Sequence, residues 1–486
     1  MPALTPGTIP HGGGAQLVCV SADLEPKPRA PELVALRDVH GGHASGPAWL
    51  MCKPVVHGQA LDAPSANAEA PSAIGLVLRL PTMAGPGVAT RNQVREHRRA
   101  LEHARALLRR HILIDGHNDL PWAIRINEHA PGDLVAYDLR RRTTGQTDLR
   151  RLRAGGVGGQ FWSVFVPAEI GSGFAHIQLE QLELARRMIA RYPRDLELCW
   201  SARDVRQAFA RGRVASLLGM EGGHVLENSM GALRAFHELG ARYLTLTHNL
   251  TNDWADSATD ERRHGGLSDF GREVVREMNR LGMLVDLSHV APATMSDALE
   301  TSEAPIIFSH SSARALCDVP RNVPDEILKR VPANGGVVMV TFVAGFVSPD
   351  AAAVLIPAIT EATRRMQGIT DEAARRALAR ELIDSLDVPI PPLSLAADHV
   401  EHVARVAGVE HVGIGGDFDG TAFSTQGLED VSGYPNLFAE LILRGWTDTD
   451  LGRLAGGNVL RVMADAEAVA HRLHRAGRQP SLAKLA

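Results

Sequence analysis

Carboxylates and imidazoles recur in this chain directly after short apolar runs. Asp115-Gly116-His117-Asn118-Asp119 follows the run Ile112–Ile114. In extended backbone, residues two apart face the same side, so His117 and Asp119 can share one cation. Glu221, in Gly219-Met220-Glu221-Gly222-Gly223-His224, follows Val214–Met220, and its two oxygens can bridge two metals. His248 follows Tyr243–Thr247 and is a candidate for binding an oxyanion or a metal. His289 closes Asp286-Leu287-Ser288-His289, and His310 lies in Phe308-Ser309-His310-Ser311-Ser312. Histidine is a frequent zinc ligand, and two from neighbouring strands can share one ion. Asp417, in Gly413-Ile414-Gly415-Gly416-Asp417-Phe418-Asp419-Gly420, is placed to accept or deliver a proton of metal-bound water. Asp419 is read as capping the next helix. Each motif alone has an ordinary structural reading: a helix cap, a tight turn, a loop histidine. Together they need six coincidences at one rim, whereas imidazoles joined with carboxylates suit zinc chemistry.

The elements that must position these groups are legible as eight apolar runs: Ile112–Ile114, Phe161–Val166, Val214–Met220, Tyr243–Thr247, Met283–Leu287, Ile306–Phe308, Val337–Phe342 and His411–Ile414. Amphipathic stretches separate most of them, including Ile177–Tyr192, Gly231–Leu239 and Asp269–Leu281. That alternation predicts α/β architecture, and eight units close a (β/α)8 TIM-like barrel with its chemistry at the C-terminal rim. A helix is expected from Arg95 to Arg110, and closing helices from Asn436 to Arg475. The barrel domain is read as 96–475, with a helical insertion at 348–392 near the barrel mouth and a tail at 476–486. Residues 1–95 scatter Pro, Gly and Ala without periodicity, which predicts an irregular, loosely packed extension. A natural start at Met83 is the other reading of that segment.

Composition removes several classes. The chain has 486 residues, 45% hydrophobic and 22% charged, enough for one large packed barrel. A net charge of -5 argues against a nucleic-acid binder. The four cysteines, Cys19, Cys52, Cys199 and Cys317, form no C-x-x-C pair and no disulfide framework, which points to a reduced, cytoplasmic setting. No apolar stretch approaches 18 residues, so no membrane association is expected, and no secretory signal or lipid-anchor tail is visible. Arg321 lies between two prolines in Asp318-Val319-Pro320-Arg321-Asn322-Val323-Pro324. By itself it reads as an ordinary loop arginine.

The motifs GHNDLPW, GMEGGHVLENSMGALRAFHELGARYLTLTHN, VDLSHV, FSHSSARALCDVPRNVPDEIL, GIGGDFDG, GLEDVSGYPNLFAELILRGW and GGNVLRV resemble the membrane dipeptidase (renal dipeptidase) family of zinc peptidases. The resemblance runs from about His111 to Ala466. It implies a barrel of the metal-dependent hydrolase type holding two Zn2+ per chain. It further implies that His117 and Asp119 bind the first zinc, that Glu221 bridges both, and that His289 and His310 bind the second. His248 would contact the oxyanion, Arg321 the substrate's free carboxylate, and Asp417 would handle the proton. The implied reaction is hydrolysis of small dipeptides, L-L and L-D, through a metal-bridging hydroxide. Homodimers are common in that family, though no residue pattern here derives one. Vertebrate members carry a secretory signal, cysteine bridges and a lipid anchor, so a soluble bacterial-type member is expected. Val340-Thr341-Phe342-Val343 replaces an Asn-Phe-Tyr run of those members, so side-chain preference does not carry over. Two rivals stand beside this reading. One is a binuclear-metal amidohydrolase acting on N-acyl amino acids or cyclic amides; the other is a non-catalytic binding protein on the same fold.

Overall fold

The computed structural model describes residues 90–485. The expectations for the stretch before residue 90 lie outside the described residues, as do Cys19 and Cys52. The first helix, Arg91–Leu108, begins four residues earlier than its apolar pattern suggested. Thr90 caps it, and Gln93 closes a reciprocal capping box that satisfies two N-terminal donors.

Nine parallel strands follow: β1 (Leu113–Asn118), β2 (Val157–Ser163), β3 (Leu196–Leu198), β4 (Val214–Glu221), β5 (Ala241–Thr245), β6 (Leu284–Asp286), β7 (Ile307–Phe308), β8 (Val337–Val340) and β9 (Val412–Ile414). The ring order is β1-β2-β4-β5-β6-β7-β8-β9, closed where Asp115 of β1 pairs with Ile414 of β9. Eight strands therefore form the barrel. The remaining strand, β3, pairs only with the start of β4, at Leu196 opposite Val214.

Side chains fill the barrel rather than leaving a pore. Ile114, Phe161, Leu217, Tyr243, Ile307 and Met339 belong to one buried cluster drawn from six strands. Gly219 is required beside them, because a Cβ there would overlap the Tyr243 ring. Outside, the helix Asp269–Leu281 shows how local sequence fixes a boundary. Ser268 caps its start by accepting from the Gly271 amide, and Gly282 ends it in left-handed backbone at φ 75°. Phe270, Val274, Val275 and Met278 form its buried face.

After β8 the chain makes two longer helices, Pro349–Met366 and Glu372–Asp384. The last long helix, Asn458–Arg475, packs on the barrel, and the tail beyond it is tied down. The Ser481 amide donates to Glu277 at 3.1 Å, and its hydroxyl donates to Glu273 at 2.9 Å. Among the described residues no helix is long and apolar enough to cross a membrane.

Candidate metal centre

Every predicted site residue lies at or just beyond the C-terminal end of a barrel strand, or, for Arg321, in the loop after β7. His117 is on β1, and Asp119 follows at the N-cap position just before the helix Leu120–Arg125. Asp119 makes no capping hydrogen bond there, so the simplest structural reading of this carboxylate fails. Its Oδ2 lies 3.3 Å from His117 Nε2 instead. Glu221 ends β4. Its Oε2 is 3.3 Å from His117 Nε2, while its Oε1 is 3.0 Å from His289 Nε2 and 3.6 Å from His310 Nε2. His289 Nε2 and His310 Nε2 are 3.0 Å apart. One carboxylate thus presents one oxygen to each of two ligand groups.

These spacings fit metal ions. Ligand bonds of about 2.0–2.1 Å in tetrahedral geometry set donors roughly 3.3 Å apart. The buried His117 Nε2 and Asp119 Oδ1 have no hydrogen-bond partner among the described residues. The clusters His117, Asp119, Glu221 and Glu221, His289, His310 each bring three donor atoms within 4.8 Å of one another.

Neighbouring groups aim the imidazoles. Ser309 Oγ donates to Asp286 Oδ2 at 2.6 Å, so it accepts from His310 Nδ1 at 2.8 Å. That places the His310 proton on Nδ1 and leaves Nε2 a free lone pair. Tyr243 repeats the device on His117. Its hydroxyl donates to the Gly116 carbonyl at 3.3 Å and lies 2.8 Å from His117 Nδ1. Ser163 donates to Glu221 Oε2 at 3.1 Å. Asp286, buried, also accepts from Thr245 Oγ1 and the amides of Ser288 and Ser309. Tyr243 and Ser309 carry no chemical signal in the sequence. A tyrosine inside an apolar run reads as core, and a serine beside a histidine is too common to stand out.

His289 and Asp417 both have left-handed backbone, at φ 70° and 60°. Non-glycine residues there are strained, and such strain clusters at working sites. Burial pushes the Asp417 carboxyl well above the ordinary carboxylate range, and the nearby charges of Asp119 and Glu221 add to it. Burial also raises Glu221. It holds His248, His289 and His310 well below the usual histidine value, with the Arg321 cation acting in the same direction. Burial acts against charge on His117 too, but Tyr243, Glu221 and Asp119 raise it well above that value, so the site joins three neutral imidazoles and one protonated one to crowded carboxylates, an environment that a divalent cation relieves.

His248 and Arg321 line the same cavity of about 580 Å³, together with Glu221, Asp119, His289 and Asp417. His248 Nε2 is 3.9 Å from Glu221 Oε1, and its ring packs against Phe165 with centroids 4.7 Å apart. Arg321 is buried and rests over the Phe346 ring at 5.1 Å. Burial lowers its pKa to about 10, and its Nη1 has no hydrogen-bond partner among the described residues. Two other motif residues are structural. His224 Nε2 is bonded to the Val166 carbonyl at 2.9 Å. Asp419 caps no helix: it accepts from the Gln146 amide at 2.6 Å and so fixes the loop after β1. The next helix starts only at Tyr434.

A closed parallel barrel with such a cluster at its rim defines a metal-dependent hydrolase of the TIM-like class. Residues 101–477 match the family described as membrane dipeptidase (Peptidase family M19), and the chain belongs to that family. Dipeptidase 3 of Mus musculus is 42% identical over 377 residues, spanning 76% of this chain and 68% of that protein. The probable dipeptidase PvdM from Pseudomonas aeruginosa aligns with a TM-score of 0.66 and 25% identity, covering 77% of this chain and 100% of its own. The metallopeptidase dipeptidase AC aligns with a TM-score of 0.61 and 25% identity, over 73% of this chain and 98% of its own. The chain is accordingly a peptide-bond hydrolase of the dipeptidase type.

Proposed function

We propose that the site hydrolyses free dipeptides, both L-L and L-D, using two zinc ions. The observation that carries this reading is the division of Glu221, one oxygen toward His117 and Asp119, the other toward His289 and His310. In this reading those five residues would hold the ions, which when bound would supply Lewis acidity to a carbonyl and lower the pKa of water. The chain's own groups do the rest. Arg321 receives the substrate's terminal carboxylate; a buried guanidinium with a free Nη1 lacks a counter-charge that this carboxylate supplies. His248 stabilises the oxyanion from the rim of the cavity, an electrostatic contribution typically worth several kcal/mol. Asp417 takes the proton from the attacking water and delivers it to the leaving amine. It acts as a carboxylate when it accepts, and its burial, which raises its affinity for a proton, lets it hold that proton until the amine leaves. A cytoplasmic setting accords with Cys199 and Cys317, both buried and free.

The test is a matched assay on zinc-loaded enzyme. Release of free amino acid from L-L and L-D dipeptides is compared with release from the same dipeptides amidated at the C-terminus. Cleavage confined to the free acids is the expected result. Equal cleavage of the amides removes Arg321 from its role, and preference for N-acyl amino acids moves the reaction to the amidohydrolase alternative.

A further inference from the structure

A second cavity, of about 530 Å³, adjoins the first. The two share Trp122, Ile126, Phe165, His248 and Ile359, so the metal centre opens directly into this chamber. Arg321, Pro320, Val343 and Phe346 line the metal cavity but not the chamber.

Two insertion helices build its roof. On Pro349–Met366, residues Ile359, Ala362, Thr363 and Met366 face the chamber at helical spacing. On Glu372–Asp384, the facing stripe is Arg375, Arg376, Ala379, Arg380 and Ile383. This second helix has no buried residue. Ion pairs hold it to the mouth instead: Glu372 to Arg125 at 2.7 Å, Arg375 to Glu169 at 3.3 Å and Arg380 to Glu128 at 2.8 Å. Those pairs consume most of the chamber's positive charge. What remains to contact a ligand is mainly the aromatic and aliphatic set Trp122, Ile126, Phe165, Ile359, Met366 and Ile383, with Arg376 and Asp384 as the charges outside those pairs.

From this arrangement we infer that the chamber is the side-chain pocket for the amino-terminal residue of the dipeptide, and that it selects a bulky apolar side chain. The inference rests on the dipeptidase reading. With the carboxyl-terminal residue fixed at Arg321, the residue on the other side of the scissile bond is the one that can reach a chamber Arg321 does not line. Its predominantly aromatic and aliphatic lining favours an apolar occupant, because a charged side chain would be stripped of water over most of that surface.

The experiment fills the chamber from its roof. Ala379→Trp and, from the other helix, Ala362→Leu are compared with the wild type on Phe-Ala, Leu-Ala and Gly-Ala. One missing methylene in an apolar pocket is worth roughly 10–200-fold in kcat/KM. The wild type is expected to prefer Phe-Ala and Leu-Ala over Gly-Ala by at least about tenfold. Ala379→Trp is expected to remove that preference by lowering kcat/KM for Phe-Ala and Leu-Ala relative to Gly-Ala. An unchanged Phe-Ala to Gly-Ala ratio in both variants overturns the pocket assignment, as does a parallel loss on all three substrates. Failure of the wild type to cleave even Gly-Ala overturns the dipeptidase reading itself, and this inference with it.

Discussion

At the scale of single residues, the proposed chemistry depends on where protons and charges already reside. Ser309 and Tyr243 sit on the Nδ1 of His310 and His117, the nitrogens that face away from the proposed ions. Tyr243→Phe should therefore weaken metal affinity about 10–100-fold with the barrel intact, measured by chelator competition. Unaltered affinity would remove Tyr243 from that role. Arg321 presents the complementary case. Arg321→Ala deletes a charge-assisted contact to the substrate, worth about 1.5–3 kcal/mol, and should raise KM for dipeptides at least about tenfold. Metal content, read by elemental analysis, should stay at the wild-type level. Normal KM in this variant would break the link between Arg321 and the carboxylate.

At the scale of elements, the eight apolar runs became the eight barrel strands because parallel strands buried on both faces must be nearly continuous in hydrophobicity. The helix Asp269–Leu281 was legible to the residue because Ser268 and Gly282 mark both ends. Two strands were read poorly. The run at Phe161–Val166 begins late because β2 starts at Val157 and passes through Gly158 and Gly159. These positions add no hydrophobic signal, yet they are small because a Cβ on Gly158 would press on Phe209 and one on Gly159 on Ile114. The second, β3, is only Leu196–Leu198, with a glutamate at its centre, and carries no pattern at all. The ligand residues were legible because each follows a run, while their supports, Tyr243, Ser309 and Asp286, become visible only when neighbouring strands are brought together. Close approach also gives a prediction at this scale. A Cβ on Gly415, just after β9, would overlap the Ser309 carbonyl oxygen. Gly415→Ala should cost at least about 1–3 kcal/mol of stability and lower Tm, measured by thermal melts. An unshifted Tm would mean that the β7 and β9 ends are not held this closely.

At the scale of the whole molecule, the histidines away from the metal centre set the acid limit. Burial holds His224, His237 and His399 down to about 4. His399 accepts from the Ala313 amide at 3.0 Å through Nδ1, and its Nε2 lies 3.1 Å from the Val347 carbonyl, so the neutral ring ties its helix to the loop beyond His310. A histidine with a lowered folded value stays neutral while the unfolded chain takes up a proton. Its contribution is complete above about pH 6.5 and is lost as the pH falls toward 4, by up to about 1.4 kcal/mol per unit. In His399→Gln, urea denaturation should show a shallower fall of stability between these pH values, and an identical slope would exclude His399 as a contributor. The order of the strands carries a further consequence. The five proposed ligands all lie between His117 and His310, on β1, β4 and the ends of β6 and β7, whereas Asp417 comes after β9. During synthesis the ion-holding set is complete while the roof helices and the last two strands are still unmade. In the proposed reading, the residues that hold the ions are thus all synthesised before the proton carrier, which joins them only when the ring shuts.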